Sequence, residues 1–474
     1  MDFASNFSMT IGGAGVRGQA TVDVINPATE SVIATAPDCS REELDAAVDA
    51  ARAAFPLWSA RHIDERRALL RQFADDLLLH TDPLARLLTS EQGKPLADAA
   101  NEIAGAALYL KGFCELDLPV KITEPDDGQG RIIETHQMPI GVVAGIAPWN
   151  FPVLLGMFKL TPALLAGNTL VLKPSPFTPL ATLKLGELAR DILPPGVLNV
   201  ISGGDALGPW MTSHSGFDKI SFTGSTQTGR RVMESAAGSL KRVTLELGGN
   251  DAAIVLADVD VDAIAEKLFW SAFRNSGQVC IATKRMYVHS AVYDRLKDVL
   301  VAYAATIKVG DGGASDTRLG PINNRPQYER VLDLIADAKR EGYTFLTGEG
   351  EVPGSGYFVP VTIIDNPPEE ARIVQEEQFG PVLPLLRFDD IDDVIARANA
   401  SPYGLGGSVW SANEEQAEAI AARLNTGNVW INGLQYLTPL ASFGGQKQSG
   451  IGVEGGVEGL KEYTVSRTFV RNRR

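Results

Sequence analysis

Between Ala20 and Asp38 the chain reads ATVDVINPATESVIATAPD, with apolar and polar positions alternating on either side of Asn26-Pro27. That period of two predicts a pair of strands turned into a hairpin. At Ser40 the period lengthens. Leu44, Val48, Ala51 and Phe55 share one helical face, Ser40 offers a cap, and Glu43 three residues on completes a capping box. Further helices are expected through ERRALLRQFADDLLLH and from Pro95 to Cys114. The polar stretch EPDDGQGRIIETH then breaks the pattern, and its tail, Arg131 to His136, reads as a strand projecting from the body.

From Gly141 short apolar runs alternate with helical segments of roughly ten residues. GVVAGIAP, NTLVLKP, VLNVIS, DKISFTG and RVTLELGG are the strands, and helices start near Leu180 and Ser225. This alternation predicts an α/β fold with a parallel, doubly wound sheet whose ligand crevice lies beyond the carboxyl ends of its strands. A second α/β series follows Gly249, with DAAIVLAD, a helix through Phe273, a GQVC loop, RMYVH, PVLPLLRF, GGSVW and GNVWIN. No repeat, linker or low-complexity stretch separates the two units, so they are expected to pack directly together.

Composition narrows the class. A chain of 474 residues with 45% hydrophobic and 21% charged residues suits a folded, soluble protein of two or three domains. The 58 acidic against 43 basic residues give a formal charge of −15, which disfavours nucleic acid and anionic membrane surfaces as partners. The start, MDFASNFSMTIGG, lacks a signal-peptide pattern and no long apolar run follows, so a cytoplasmic location is expected. Cys39, Cys114 and Cys280 are odd in number and widely spaced. His62, His80, His136, His214 and His289 are scattered, so neither a disulfide framework nor a metal site is expected.

The candidate chemistry sits at strand ends. GxGxxG occurs at Gly13, Gly15 and Gly18 and at Gly450, Gly452 and Gly455, but neither copy opens a helix within a βαβ unit, so both read as glycine-rich turns. FTGSTQTG ends a strand and starts a helix, where free N–H groups favour a phosphate. An ordinary turn with Ser225 as the cap fits that motif equally well. Lys173 also ends a strand, in the same crevice by topology. Cys280 lies in a glycine-permissive loop suited to a thiolate, although lone cysteines are more often buried and inert. Glu246, followed by two glycines, is placed to take a proton from water or simply to be solvated at a strand end. Asn150, held between prolines in PWNFP, offers an amide to an oxyanion or merely forms a turn.

Taken together, GVVAGIAPWNFP, LVLKPS, SFTGSTQTG, LELGG, GQVCIATKR, EEQFGPVLP, SPYGLGGSVW and GNVWING with SFGGQKQSGIG occur in an order and at spacings that resemble the NAD(P)+-dependent aldehyde dehydrogenase superfamily over nearly the whole chain. The resemblance implies Cys280 as nucleophile, Glu246 as general base, and Asn150 with the Cys280 backbone N–H as the oxyanion hole. It implies NAD or NADP held by Ile146, Trp149, Lys173, Ser175, Gly224, Ser225 and Gly229, with Glu377 on the nicotinamide ribose and Phe379 near the ring. An aldehyde tunnel would be lined by Phe151, Leu155, Phe158, Val279, Ile281, Leu437 and Phe443, with Tyr436 nearby. Its apolar character, with no arginine directly beside Cys280 to hold a second carboxylate, points away from small semialdehyde acids and to aliphatic or aromatic aldehydes.

Three positions depart from the family pattern. Pro176 replaces a common glutamate, which weakens the case for strict NAD preference. Asn250 and Val453 replace a usual lysine and arginine. By the same resemblance, residues 1–120 and 140–248 form a Rossmann-like cofactor domain, 249–448 a catalytic domain, and 121–139 with 457–474 a small β arm joining a homodimer or homotetramer. A CoA-acylating dehydrogenase and a cysteine-dependent esterase or acyltransferase are the competing readings. Glu246 argues against the first, and FTGST with EEQFGP against the second.

Overall fold

The structure, a computed structural model, describes residues 2–125 and 130–472. Its first helix, Arg41–Ala60, begins as the sequence dictates: the Ser40 hydroxyl accepts from the Glu43 N–H, and the Glu43 carboxylate accepts from the Ser40 N–H. Two otherwise orphaned N–H groups are thereby satisfied. The Ala20–Ile25 and Val32–Asp38 strands form the expected hairpin. The Thr81–Gln92 helix has no counterpart among the elements expected from sequence, and neither do Ser290–Ala304, Arg325–Arg340, Ile391–Asn399 and Glu414–Ala421 in the second unit. His80 ends the helix before Thr81–Gln92, and Pro83 falls in its first turn, where a missing N–H breaks no helical bond.

Five parallel strands build the centre of an eight-stranded sheet, in the order Leu198–Val200, Thr169–Lys173, Val142–Ile146, Lys219–Thr223 and Arg242–Glu246. The chain winds outward from Val142–Ile146 in one direction and then returns to start again with Lys219–Thr223 on its other side. The switch point lies between these two strands, and a crevice must open where their following loops diverge. Those loops are PWNF and TGST. Both GxGxxG copies are turns at the sheet's margins. Gly12 and Gly13 link the antiparallel Met9–Ile11 and Ala14–Val16 strands, and Gly450 pairs antiparallel with Glu246.

A seven-stranded second sheet orders Thr344–Phe345, Thr362–Asp365, Val382–Phe388, Thr283–His289, Asp251–Val255, Gly406–Trp410 and Asn428–Ile431. Only the Thr344–Phe345 strand is antiparallel to its neighbour. Alternate residues of one strand serve opposite faces: Ile254 and Tyr287 join one apolar cluster, Val255 and Met286 the other. Burial on both faces explains why these strands read as continuous apolar runs. A third sheet pairs Thr464–Asn472 antiparallel with Arg131–Pro139, and that strand with Lys121–Thr123. Among the described residues no helix is long and apolar enough to cross a membrane.

The Val261–Phe273 helix leads into the cysteine loop through Asn275, Ser276 and Gly277, all left-handed, with φ of 51°, 55° and 72°. Two of the three carry side chains, so the turn is strained and held by its surroundings. At Gly277 a Cβ would lie 2.1 Å from the Gly380 carbonyl oxygen. Gly277→Ala adds left-handed strain to that overlap and is expected to destabilise the fold by roughly 2–5 kcal/mol. The midpoint of chemical denaturation checks this.

Candidate active site

Asn150 follows the Val142–Ile146 strand and is buried. Its side-chain Nδ2 donates to the Gln278 carbonyl at 3.0 Å, which ties the PWNF loop to the cysteine loop. Its own backbone carbonyl accepts from Lys94 Nζ at 2.8 Å and from Asn275 Nδ2 at 3.2 Å. Lys94 is paired with Glu102, both buried, and the other Glu102 oxygen accepts from the Val153 and Leu154 N–H groups at 3.0 and 3.2 Å. One carboxylate thus caps the Pro152–Ala166 helix and steadies the lysine that holds the asparagine. The second hydrogen of the Asn150 amide remains for a ligand.

Cys280 is half-buried and packs against a small cluster of Ile281, Leu405 and Phe443, with Val279, Trp430 and Leu437 beside it. Burial pushes its thiol up to about 12; Lys284 pulls it back, while Asp251, Glu377 and Glu246 add to the rise. The resting sulfur is therefore a thiol. Lys284 belongs to the quoted GQVCIATKR motif, yet sequence reasoning gave it no role.

Glu246 ends its strand almost wholly buried, and neither carboxylate oxygen has a hydrogen-bond partner. Burial holds its carboxyl well above the usual range. The nearby Glu454 carboxylate adds to the rise, the Lys159 ammonium opposes it, and Glu462 adds a smaller push. Lys159 and Glu454 form a buried ion pair with each other, so Glu246 has no cation of its own. Its charged form is disfavoured in this arrangement.

A cavity of about 390 Å³ opens at the switch point. Of the residues named from sequence, it gathers Trp149, Asn150, Leu155, Gly224, Ser225, Cys280, Glu377 and Phe379 on its walls. Ser225 is the N-cap of Thr226–Ala237, its hydroxyl accepting from the Thr228 N–H at 3.2 Å, so further N–H groups of that helix stay free for an anion. A Cβ at Gly224 would press on the Phe222 ring at 2.5 Å. At Gly248 one would fall 2.2 Å from Glu377 Oε2. Glu377 accepts from the Gly249 N–H at 3.0 Å, and Lys284 Nζ lies 3.4 Å from the same oxygen. Phe379, with φ of 49°, sets its ring edge-on to Trp149 at 5.3 Å. The open volume, the bare backbone at two glycines and the helix terminus suit a dinucleotide.

Sequence reasoning missed Gln327, Arg330 and Tyr403, which also line the cavity. Gln327 donates to the Gln378 and Phe379 carbonyls, and Arg330 to the Glu377 carbonyl, so one face of the Arg325–Arg340 helix braces this loop. The local signals were Asn324 capping a helix with proline in its first turn and, for Tyr403, its place in SPYGLGGSVW.

The remaining named residues lie off the cavity wall. Ile146 ends its strand, the Ser175 hydroxyl accepts from the Phe177 N–H, and Gly229 gives Leu247 room, since a Cβ there would lie 2.5 Å from it. Lys173 is buried, donates to the Pro174 carbonyl at 3.1 Å, and is pushed down to about 8 by burial against the pull of Asp205 and Asp38. Along the expected tunnel, Val279, Ile281, Leu437 and Phe443 stand in the cysteine's own cluster. Phe158 instead stacks on Tyr109 at 4.1 Å within the main core, and Tyr436 is 74% exposed. Phe151 carries Lys94 on its ring at 3.8 Å and Arg274 at 5.7 Å. An exposed arginine, six positions before the cysteine and so not directly beside it in sequence, thus reaches a ring expected to line the tunnel.

Known proteins resemble this chain over nearly its whole length. The model of the aldehyde dehydrogenase family matches residues 16–469. A probable aldehyde dehydrogenase from Pseudomonas sp is 43% identical, covering 99% of this chain and 96% of the relative. The succinate-semialdehyde dehydrogenase [NADP(+)] GabD of Escherichia coli is 40% identical, covering 93% of this chain and 92% of its own. The NAD+ complex of a Bacillus cereus aldehyde dehydrogenase superposes with a TM-score of 0.96 at 36% identity, covering 99% and 97% of the two chains. A cysteine, an asparagine amide and a helix terminus around one crevice, with matches of this length, mean that the chain belongs to the aldehyde dehydrogenase family.

Proposed function

We propose that this chain oxidises a small aldehyde to the carboxylic acid with NAD or NADP, through a covalent adduct on Cys280. The observation that carries this reading is that Cys280, Asn150, Gly224, Ser225 and Glu377 share the wall of one cavity. The Cys280 thiol loses its proton to water, and the sulfur adds to the carbonyl carbon. The oxyanion formed is held by the Asn150 Nδ2 hydrogen and the Cys280 backbone N–H. When bound, the oxidised nicotinamide supplies the acceptor for the aldehyde hydrogen. What remains on Cys280 is a thioester. Glu246, once ionised, takes a proton from the water that attacks it, the C–S bond breaks, and the acid departs.

Residues 1–120 and 140–248 serve as the cofactor domain in this reading, 249–448 as the catalytic domain, and Ile146, Trp149, Lys173, Ser175, Gly224, Ser225, Gly229, Glu377 and Phe379 as cofactor contacts. The apolar neighbours Leu155, Val279, Ile281 and Phe443 favour aliphatic or aromatic aldehydes. Arg274 above Phe151 favours a second substrate reading, an aldehyde with a distal carboxylate. The Thr464–Asn472 strand lies at the edge of its sheet and exposes Phe469 and Val470, which supports a homodimer or homotetramer joined through residues 121–139 and 457–474. Three free thiols suit a cytoplasmic location.

Absorbance of the reduced nicotinamide, followed with an aldehyde panel and with NAD and NADP separately, is expected to rise for at least one pair. Cys280→Ala is expected to lower kcat by on the order of 10³-fold or more. Folded protein that reduces neither nucleotide would sink the assignment. Asn150→Ala removes one oxyanion donor and is expected to lower kcat by roughly 10²- to 10³-fold, measured on the same panel.

Glu246 acts only as the carboxylate, and its ionisation is raised, so turnover is expected to climb with pH through a limb lying above the ordinary carboxylate range. In Glu246→Gln that limb is expected to vanish while a thioester builds up on Cys280, detectable by mass spectrometry of quenched protein. The same limb persisting in the variant would exclude Glu246 as the base.

A further inference from the structure

Lys284 is buried, and its ammonium meets four oxygens: the carbonyls of Cys280 at 2.6 Å, Val279 at 3.0 Å and Ala282 at 3.4 Å, and Glu377 Oε1 at 3.4 Å. An ammonium has three hydrogens, so the acceptors compete. Two of the carbonyls, those of Val279 and Cys280, belong to the peptides that flank the Cys280 Cα, so their hold fixes the backbone that carries the sulfur. The fourth oxygen is one that Glu377 also offers to the Gly249 N–H.

The charged groups facing the Cys280 thiol come from four places. Lys284 belongs to its own following strand, Asp251 to the neighbouring strand, Glu377 to the loop before Val382–Phe388, and Glu246 to the other sheet. Lys284 is the cation of this set. Glu377 is in turn faced by Lys284 and Arg330, and Asp251 by Lys284, Glu377 and Arg285. Lys284 is therefore shared among the thiol and two carboxylates.

We propose that Lys284 is a positioning residue that couples nucleotide capture to the cysteine: it holds the Cys280 peptide, and when Glu377 is drawn onto the ribose its ammonium is left facing the sulfur with one competing carboxylate removed. This rests on the reading of Cys280 as nucleophile and Glu377 as ribose contact. The physical reason is short range. A contact of 3.4 Å is lost by a displacement of about an ångström, and an unshared cation favours the thiolate over the thiol. Without nucleotide the sulfur stays protonated, which also protects it from oxidation.

The test needs no turnover. Iodoacetamide alkylation of Cys280 in the full-length protein is followed against pH, with the adduct located by mass spectrometry, alone and with saturating NAD or NADP. In the unmodified protein, nucleotide is expected to move the alkylation limb to lower pH. In Lys284→Met the nucleotide-bound rate at pH 8 is expected to fall tenfold or more, the equivalent of at least one unit in thiol ionisation, with the nucleotide response lost. Lys284→Arg, which keeps the charge, is expected to recover part of it. Glu377→Gln removes the competitor and is expected to alkylate faster without nucleotide, which keeps the proposal testable if Lys284→Met does not fold. Lys284→Met that folds, binds nucleotide and keeps the wild-type profile would overturn the proposal, and so would an unaltered profile in Glu377→Gln. Failure of the underlying reading has another signature, full aldehyde turnover in Cys280→Ala.

Discussion

The hydrogen bond from the Asn150 amide to the Gln278 carbonyl is the contact on which the candidate site depends. It fastens a loop of the first sheet to the loop of the second that carries Cys280. A second bond, from Asn275 Nδ2 to the Asn150 carbonyl, ties the same two loops, while prolines stiffen one and three left-handed residues lead into the other. Behind the bond stands a relay of buried polar contacts, from the helix end at Val153 and Leu154 through Glu102 and Lys94 to the Asn150 carbonyl. Away from water such contacts are stronger individually and costly to leave half made. The relay therefore has few alternative arrangements.

A second constraint is electrostatic. Three carboxyl groups, Asp251, Glu377 and Glu246, face one thiol in a protein that already carries an acidic excess. They are tolerated because burial raises each of them, Asp251 to about 7, and because Lys284 stands among them. Burial thus favours the protonated form of both the sulfur and Glu246. Lys284 and Glu377 already touch each other beside the cysteine loop.

Local features were legible wherever local physics decides them. The Ser40 capping box, the hairpin around Asn26-Pro27 and the strand ends at Lys173 and Glu246 each follow from a few neighbouring residues. The Thr81–Gln92 helix escaped because a proline in its first turn looks like a break and is none. Gln327, Arg330 and Tyr403 escaped because their part in the cavity depends on packing between segments far apart in sequence. Lys284 was visible as a letter beside the cysteine, but a lysine at the start of a buried strand gives no sign of whether it faces the loop or solvent.

What the sequence determined by itself was the alternation of strands and helices, the doubly wound sheet with its crevice beyond the strand ends, and the eight motifs that mark the family. Those are properties of short windows and of their order along the chain. The tertiary structure alone decided which groups share a cavity, that Glu246 lacks a partner, and that Arg274 reaches the Phe151 ring. Burial and charge act through space over a few ångströms, and such distances between remote residues exist only once the sheets have packed.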